Sequence, residues 1–142
     1  MTRRKFISVV MAVVGLLTLK GIFSFTSGSS QGETIVTDIF PSAQSIAIGG
    51  AILGRREMVW LVRDDKGYYA LDRRCPHLGC LVKWEEGQFV CPCHHSKYQV
   101  DGSIFSGPTG KALAPVKLEL DEQGNIIADT SQIVSRQWRL KV

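Results

Sequence analysis

Cys75-Pro76-His77-Leu78-Gly79-Cys80 and Cys91-Pro92-Cys93-His94-His95-Ser96 are the stretches on which the reading of this chain turns. All 4 cysteines and all 3 histidines of its 142 residues lie inside these two boxes. The segment between them reads as strand, turn and strand, with the turn at Glu85-Glu86-Gly87, and folds one box back against the other. Each box carries Cys-x-His or Cys-x-x-His spacing, so a thiolate and an imidazole from one loop can reach a common metal centre.

Around the boxes the sequence is a series of short apolar runs separated by turn residues. The spacing predicts strands over 34–40, 45–48, 58–63, 68–71, 88–90, 116–120 and 125–128. Asp64-Asp65-Lys66-Gly67, Asp101-Gly102 and Asp121-Glu122-Gln123-Gly124 mark the turns, and no stretch has the periodicity of an amphipathic helix. The expected fold is an all-β domain of antiparallel strands over 33–142. About 110 residues bury only a modest core, so a metal centre and a disulfide would add to its stability. An apolar content of 44% and a charged content of 21% are ordinary for a globular chain and argue against extended disorder.

The net charge of +4 is not a property of that domain. Arg3, Arg4, Lys5 and Lys20 stand in the first 30 residues without an acid, whereas the 13 basic and 13 acidic residues that follow cancel. With no basic stripe interleaved with aromatics, a nucleic-acid partner is not expected. Thr2-Arg3-Arg4-Lys5-Phe6-Ile7 leads into an apolar run that ends at Leu19, in the order of an export signal, and the paired arginines resemble the twin-arginine motif. Gly21 to Phe25 extends the apolar character past Lys20, whose ammonium can snorkel to an interface, and no Ala-x-Ala cleavage site follows. Residues 1–26 are therefore expected to be a signal or membrane anchor, an N-terminal membrane helix with its start cytoplasmic. Residues 27–32 read as a flexible linker. The domain is then expected on the far, periplasmic or lumenal side of a bacterial-type inner or thylakoid membrane.

The pattern Cys-x-His-x-Gly-Cys with Cys-Pro-Cys-His-x-Ser resembles the Rieske family, over roughly residues 33–128. That resemblance implies a [2Fe–2S] cluster with Cys75 and Cys91 on one iron and His77 and His94 on the other, and a disulfide between Cys80 and Cys93. Exchanging two thiolates for neutral imidazoles leaves the oxidised centre near neutral rather than near −2. Its potential therefore rises to roughly −150 to +300 mV, against about −400 mV for all-cysteine plant-type clusters. Ser96 and Tyr98 stand where high-potential members carry hydroxyls that tune the cluster, and Leu78 is expected to lie beside it as an apolar shield. Gly107-Pro108 resembles the start of a proline loop that covers the cluster, although five residues intervene before Ala114-Pro115. His95 departs from the family, which usually has glycine there.

A structural zinc site uses the same residue types but leaves two cysteines without a role. Attached haem lacks the C-x-x-C-H spacing, and a thioredoxin-like motif lacks Cys-x-x-Cys. Within the resemblance, the leading expectation is the iron–sulfur subunit of a bc or b6f-type complex. Its partners would be a cytochrome b-type membrane subunit, quinol, and a c-type cytochrome or plastocyanin. The alternatives are the small Rieske subunit of another exported oxidoreductase, of the arsenite oxidase type, and a stand-alone electron carrier. Each makes the chain an electron relay rather than a complete enzyme.

Overall fold

The computed structural model of the protein describes residues 37–41 and 43–142; the expected anchor, the linker and the first residues of the expected strand over 34–40 lie outside them. Among the described residues the fold consists of antiparallel strands and one short 3-10 turn, Ala43–Ser45. The strands are β1 (Thr37–Phe40), β2 (Ala51–Leu53), β3 (Val59–Asp64), β4 (Gly67–Asp72), β5 (Lys83–Glu85), β6 (Gln88–Val90), β7 (Lys97–Tyr98), β8 (Ile104–Ser106), β9 (Pro115–Leu120) and β10 (Ile126–Ile133). They form a six-stranded sheet in the order β1-β10-β9-β4-β3-β2 and a four-stranded sheet in the order β5-β6-β7-β8.

The connectivity explains where the site lies. β4 and β9 are neighbours, with Ala70 opposite Val116 and Leu71 opposite Pro115, although residues 73–114 separate them in sequence. That whole stretch is an insertion between two paired strands, and it carries the small sheet and both boxes. The centre of the large sheet, at β3 and β4, is buried on both faces, which is why β3 reads Val-Trp-Leu-Val rather than alternating apolar with polar. Val59 and Leu61 join Tyr68 and Ala70 in one apolar cluster, together with Phe40, Leu118 and Ile126. Trp60 and Val62 join Tyr69 and Leu71 on the other face, where they meet Val82, Phe89, Tyr98 and the two buried cysteines, Cys75 and Cys91.

The strand expected over 45–48 does not form. Ala43–Ser45 is a 3-10 turn with Ala43 buried, Ile48 is 68% exposed, and the edge strand pairing with β3 begins only at Ala51. The turn is closed locally by Ile46 N–H donating to Ala43 and Gly50 N–H to Ala47. Two adjacent glycines, Gly49 and Gly50, weaken strand pairing there, and Gly49 has φ +82°, which an extended strand does not use. β10 runs five residues past the expected end at Ala128, with its register against β9 shifting between Asp129 and Ile133.

Candidate metal centre

The hairpin β5–β6, with Trp84 opposite Phe89, holds the two boxes as a pair of loops at one end of the small sheet. The loops share one backbone design. In the first, Cys75 N–H donates to Cys80 O at 2.8 Å and Gly79 N–H to Cys75 O at 2.8 Å. In the second, Cys91 N–H donates to Ser96 O at 2.8 Å and His95 N–H to Cys91 O at 3.0 Å. The fifth residue of each loop takes a left-handed conformation, φ +78° at Gly79 and +57° at His95. The glycine usual at position 95 in the family thus has a physical reason: the loop needs a positive φ there.

Cys80 and Cys93 are joined by a disulfide that ties one loop to the other. The sulfurs of Cys80, Cys91 and Cys93 lie within 4.8 Å of one another, but two of the three are consumed by that bond, so this trio is no metal site of its own. The free thiols are Cys75 and Cys91, 2% and 1% exposed. His77 and His94 face each other with ring centroids 4.8 Å apart and planes at 86°; His77 is half-buried and His94 exposed. The boxes therefore present two fully buried thiols and, nearer to solvent, two imidazoles that face each other.

Two buried polar atoms of the boxes have no hydrogen-bond partner, His77 Nδ1 and Ser96 Oγ. Buried polar groups are rarely left unpaired, and each costs about 1–3 kcal/mol when it is. An imidazole nitrogen and a hydroxyl orphaned beside two buried thiols fit a metal centre that takes one as a ligand and receives a hydrogen bond from the other. The Tyr98 hydroxyl is 3.1 Å from Cys75 Sγ. Burial, with the Cys75 sulfur beside it, pushes the Tyr98 phenol well above its ordinary value, so the phenol stays a donor. Burial also pushes the Cys75 thiol up. Hydrogen bonds from Tyr98, the His77 backbone and Cys91 outweigh that and hold it below the usual thiol range, favouring the thiolate a metal requires.

Gly107 leans on the second loop. A Cβ built there would stand 2.5 Å from Ser96 Cα and 2.7 Å from its Oγ, so only glycine allows this approach, and its φ of +124° also favours glycine. Pro108 is exposed. Thr109 and Leu113, 7% and 0% exposed, are the residues of segment 107–114 that turn inward. Leu78 stands 70% exposed at the tip of the first loop, an outward apolar contact rather than a buried wall. Sequence reasoning missed Leu113, whose only signal was an apolar residue between two alanines, and also the C-terminal Arg136 and Arg139 described below.

Residues 42–117 match the Rieske [2Fe-2S] domain family. The chain is 36% identical over 70 residues to the cytochrome b6-f complex iron-sulfur subunit of Prochlorococcus marinus (strain MIT 9515), covering 48% of this chain and 39% of that one. It is 38% identical over 71 residues to the chloroplastic cytochrome b6-f complex iron-sulfur subunit of Arabidopsis thaliana, covering 47% of this chain and 31% of that one. The chain thus spans about a third to two fifths of the length of these relatives. Among solved structures it is similar to the cyanobacterial plasma membrane Rieske protein of Synechocystis PCC 6803, with 26% identity, TM-score 0.44, and coverage of 56% of this chain and 83% of that one. A family match over more than half the sequence, centred on paired loops whose buried donors suit iron and sulfide, shows that the chain belongs to the Rieske [2Fe-2S] domain family, with a [2Fe–2S] cluster as its cofactor.

Proposed function

We propose that Cys75 and Cys91 ligate one iron of the cluster and His77 and His94 the other. On this reading the protein relays single electrons from a quinol to a c-type cytochrome or plastocyanin, as the membrane-anchored iron–sulfur subunit of a bc or b6f-type complex. The observation that carries the ligand assignment is the division of donors by burial: two fully buried free thiols, and two less buried histidines with rings 4.8 Å apart. When bound, the cluster supplies one-electron redox chemistry at a potential raised by its imidazole ligands.

The chain's own residues define the rest. The buried cysteines and the apolar cluster of Val82, Phe89 and Leu113 exclude water from the thiolate side. Ser96 and Tyr98 direct hydroxyl donors at the centre and favour its more negative, reduced charge state. Exposed His94 provides an imidazole edge at which a partner can come within electron-transfer distance, and the exposed Leu78 of the first loop offers an apolar foothold. Among the described residues no helix is long and apolar enough to cross a membrane. The anchoring assigned to residues 1–26 rests on their sequence.

Detergent solubilisation of native membranes followed by purification of the full chain tests this function. The expected result is co-purification with a cytochrome b-type subunit and reduction of the cluster by a quinol analogue. Recovery as a free, cleaved protein would overturn the tethered-subunit reading, and recovery with a molybdenum subunit would move the protein to an arsenite oxidase type of assembly.

A further inference from the structure

The C-terminal segment, residues 134–142, lies beyond the part of the chain matched by the family, yet it reaches the cluster end of the domain. It enters through Val134 N–H, which donates to Pro115 O at 3.1 Å, and it leaves through a reciprocal pair in which Tyr68 and Leu140 each donate to the other's carbonyl, at 2.9 and 2.8 Å. Between these points two arginines turn inward. Arg139 stacks 4.1 Å above the Tyr69 ring and donates to Asp64 at 2.6 Å, which fastens the segment to the large sheet. Arg136 does something different. One of its guanidinium nitrogens donates to Asp101 O, and the other donates to Leu113 O at 2.9 Å.

Those two carbonyls belong to segments that no strand pairing joins. Asp101 lies in the turn between β7 and β8, and Leu113 closes the segment 107–114 that covers the cluster loops. Leu113 N–H donates to Gly102 O at 2.9 Å, so Arg136 completes a clamp of three hydrogen bonds across this junction. The fit is tight, since a Cβ at Gly102 would lie 3.0 Å from the Arg136 guanidinium. Leu113 itself packs in the apolar cluster that holds Cys75, Cys91 and Tyr98. At the other end of this segment Gly107 rests on Ser96, while the hydrogen bonds within 107–112 are local, from Lys111 N–H to Thr109 Oγ1 at 3.1 Å and from the Thr109 hydroxyl to Lys111 O at 3.5 Å.

We propose that Arg136 is a positioning residue for the cluster: by holding Leu113 against the β7–β8 turn, it keeps segment 107–114 closed over the ligand loops. The role suits arginine, whose planar fork addresses two acceptors at once, whereas a lysine ammonium on the same stem lacks that fork. The inference rests on the ligand assignment above.

The test uses the full chain loaded with its cluster, in three variants: Arg136→Gln, Arg136→Lys and Arg139→Gln. The readouts are the rate at which an excess of iron chelator bleaches the visible absorption, and amide hydrogen exchange at Leu113. Losing charge-assisted bonds at this junction should make Arg136→Gln bleach about tenfold faster than wild type, with faster exchange at Leu113. Arg136→Lys should fall between the two. Arg139→Gln removes the tie to Asp64 and a bond to the Arg136 carbonyl but leaves the Arg136 fork in place, so it should lower the thermal midpoint and bleach more slowly than Arg136→Gln. Wild-type bleaching in Arg136→Gln, or equally fast bleaching in Arg139→Gln, would overturn the proposal. If Arg136→Gln does not fold, Arg136→Lys decides by the same criterion. A wild-type protein that binds no iron would instead overturn the ligand assignment, and exchange at Leu113 would then test the clamp alone.

Discussion

His95 holds a left-handed backbone, φ +57°, with its side chain exposed, at the loop position where Gly79 serves in the other box. An L-residue there costs on the order of 1 kcal/mol relative to glycine. His95→Gly is therefore expected to stabilise the folded protein by about 0.5–1 kcal/mol in denaturant melts, with the cluster retained. At Ser96 the orphaned hydroxyl leads to a redox prediction. Ser96→Ala should keep the cluster but lower its midpoint potential, since a hydrogen bond of about 1–2 kcal/mol lost from the reduced state corresponds to about 40–90 mV for a one-electron couple. An unchanged potential would remove Ser96 from the tuning residues. Gly107→Ala acts on the same hydroxyl from outside. Its new Cβ would have to displace Ser96, so potentiometry should show a shift in the same direction, and destabilisation by more than about 2 kcal/mol should accompany it.

Among the elements, the paired loops behave as one unit only because Cys80 and Cys93 join them. Closing a loop of this size, with a sequence separation of 13, contributes about 3 kcal/mol against the open chain. The double variant Cys80→Ser, Cys93→Ser should keep both free thiols and both histidines but lose iron to a chelator much faster than wild type, as visible absorption would record. The loops were legible in the sequence because their chemistry is written in rare residues at fixed spacing. β3 and β4 were legible too, as unbroken apolar runs bounded by turns, and β9 as the alternation Val116-Lys117-Leu118-Glu119-Leu120. The strand expected over 45–48 was not, because Ser45-Ile46-Ala47-Ile48 has the alternation of a strand while the glycines after it favour a turn. β8 was invisible for a related reason: Ile104-Phe105-Ser106 is short, and its Phe105 is 66% exposed.

Across the whole molecule, the site is an insertion between β4 and β9, so its geometry depends on contacts distant in sequence. Arg136 reaches Asp101 and Leu113, and Arg139 reaches Asp64; one-dimensional patterning carries no trace of these pairings. Asp101 belongs to this junction. Burial raises its carboxyl, but hydrogen bonds from Ser103 and the charges of Arg136 and Arg139 outweigh that and hold it below the usual carboxylate range. A depressed folded-state value means the native protein binds fewer protons than the unfolded chain. The stabilisation is thus present above the ordinary carboxylate value of about 4 and is lost as pH falls through the folded value. Asp101→Asn should therefore be less stable than wild type at pH 7, and denaturant melts at a series of pH values should show the gap closing below about pH 4. A gap independent of pH would locate the effect in packing instead.

The most direct test of the ligand assignment is electron–nuclear double resonance on the reduced, cluster-loaded protein with its histidines labelled with ¹⁵N, beside iron and acid-labile sulfide analysis. The account predicts iron and sulfide in equal amounts and resolved coupling to nitrogens of two histidines, with one coupling lost in a His94→Cys variant. Zinc in place of iron, iron without sulfide, or a spectrum with no histidine nitrogen coupling would contradict it.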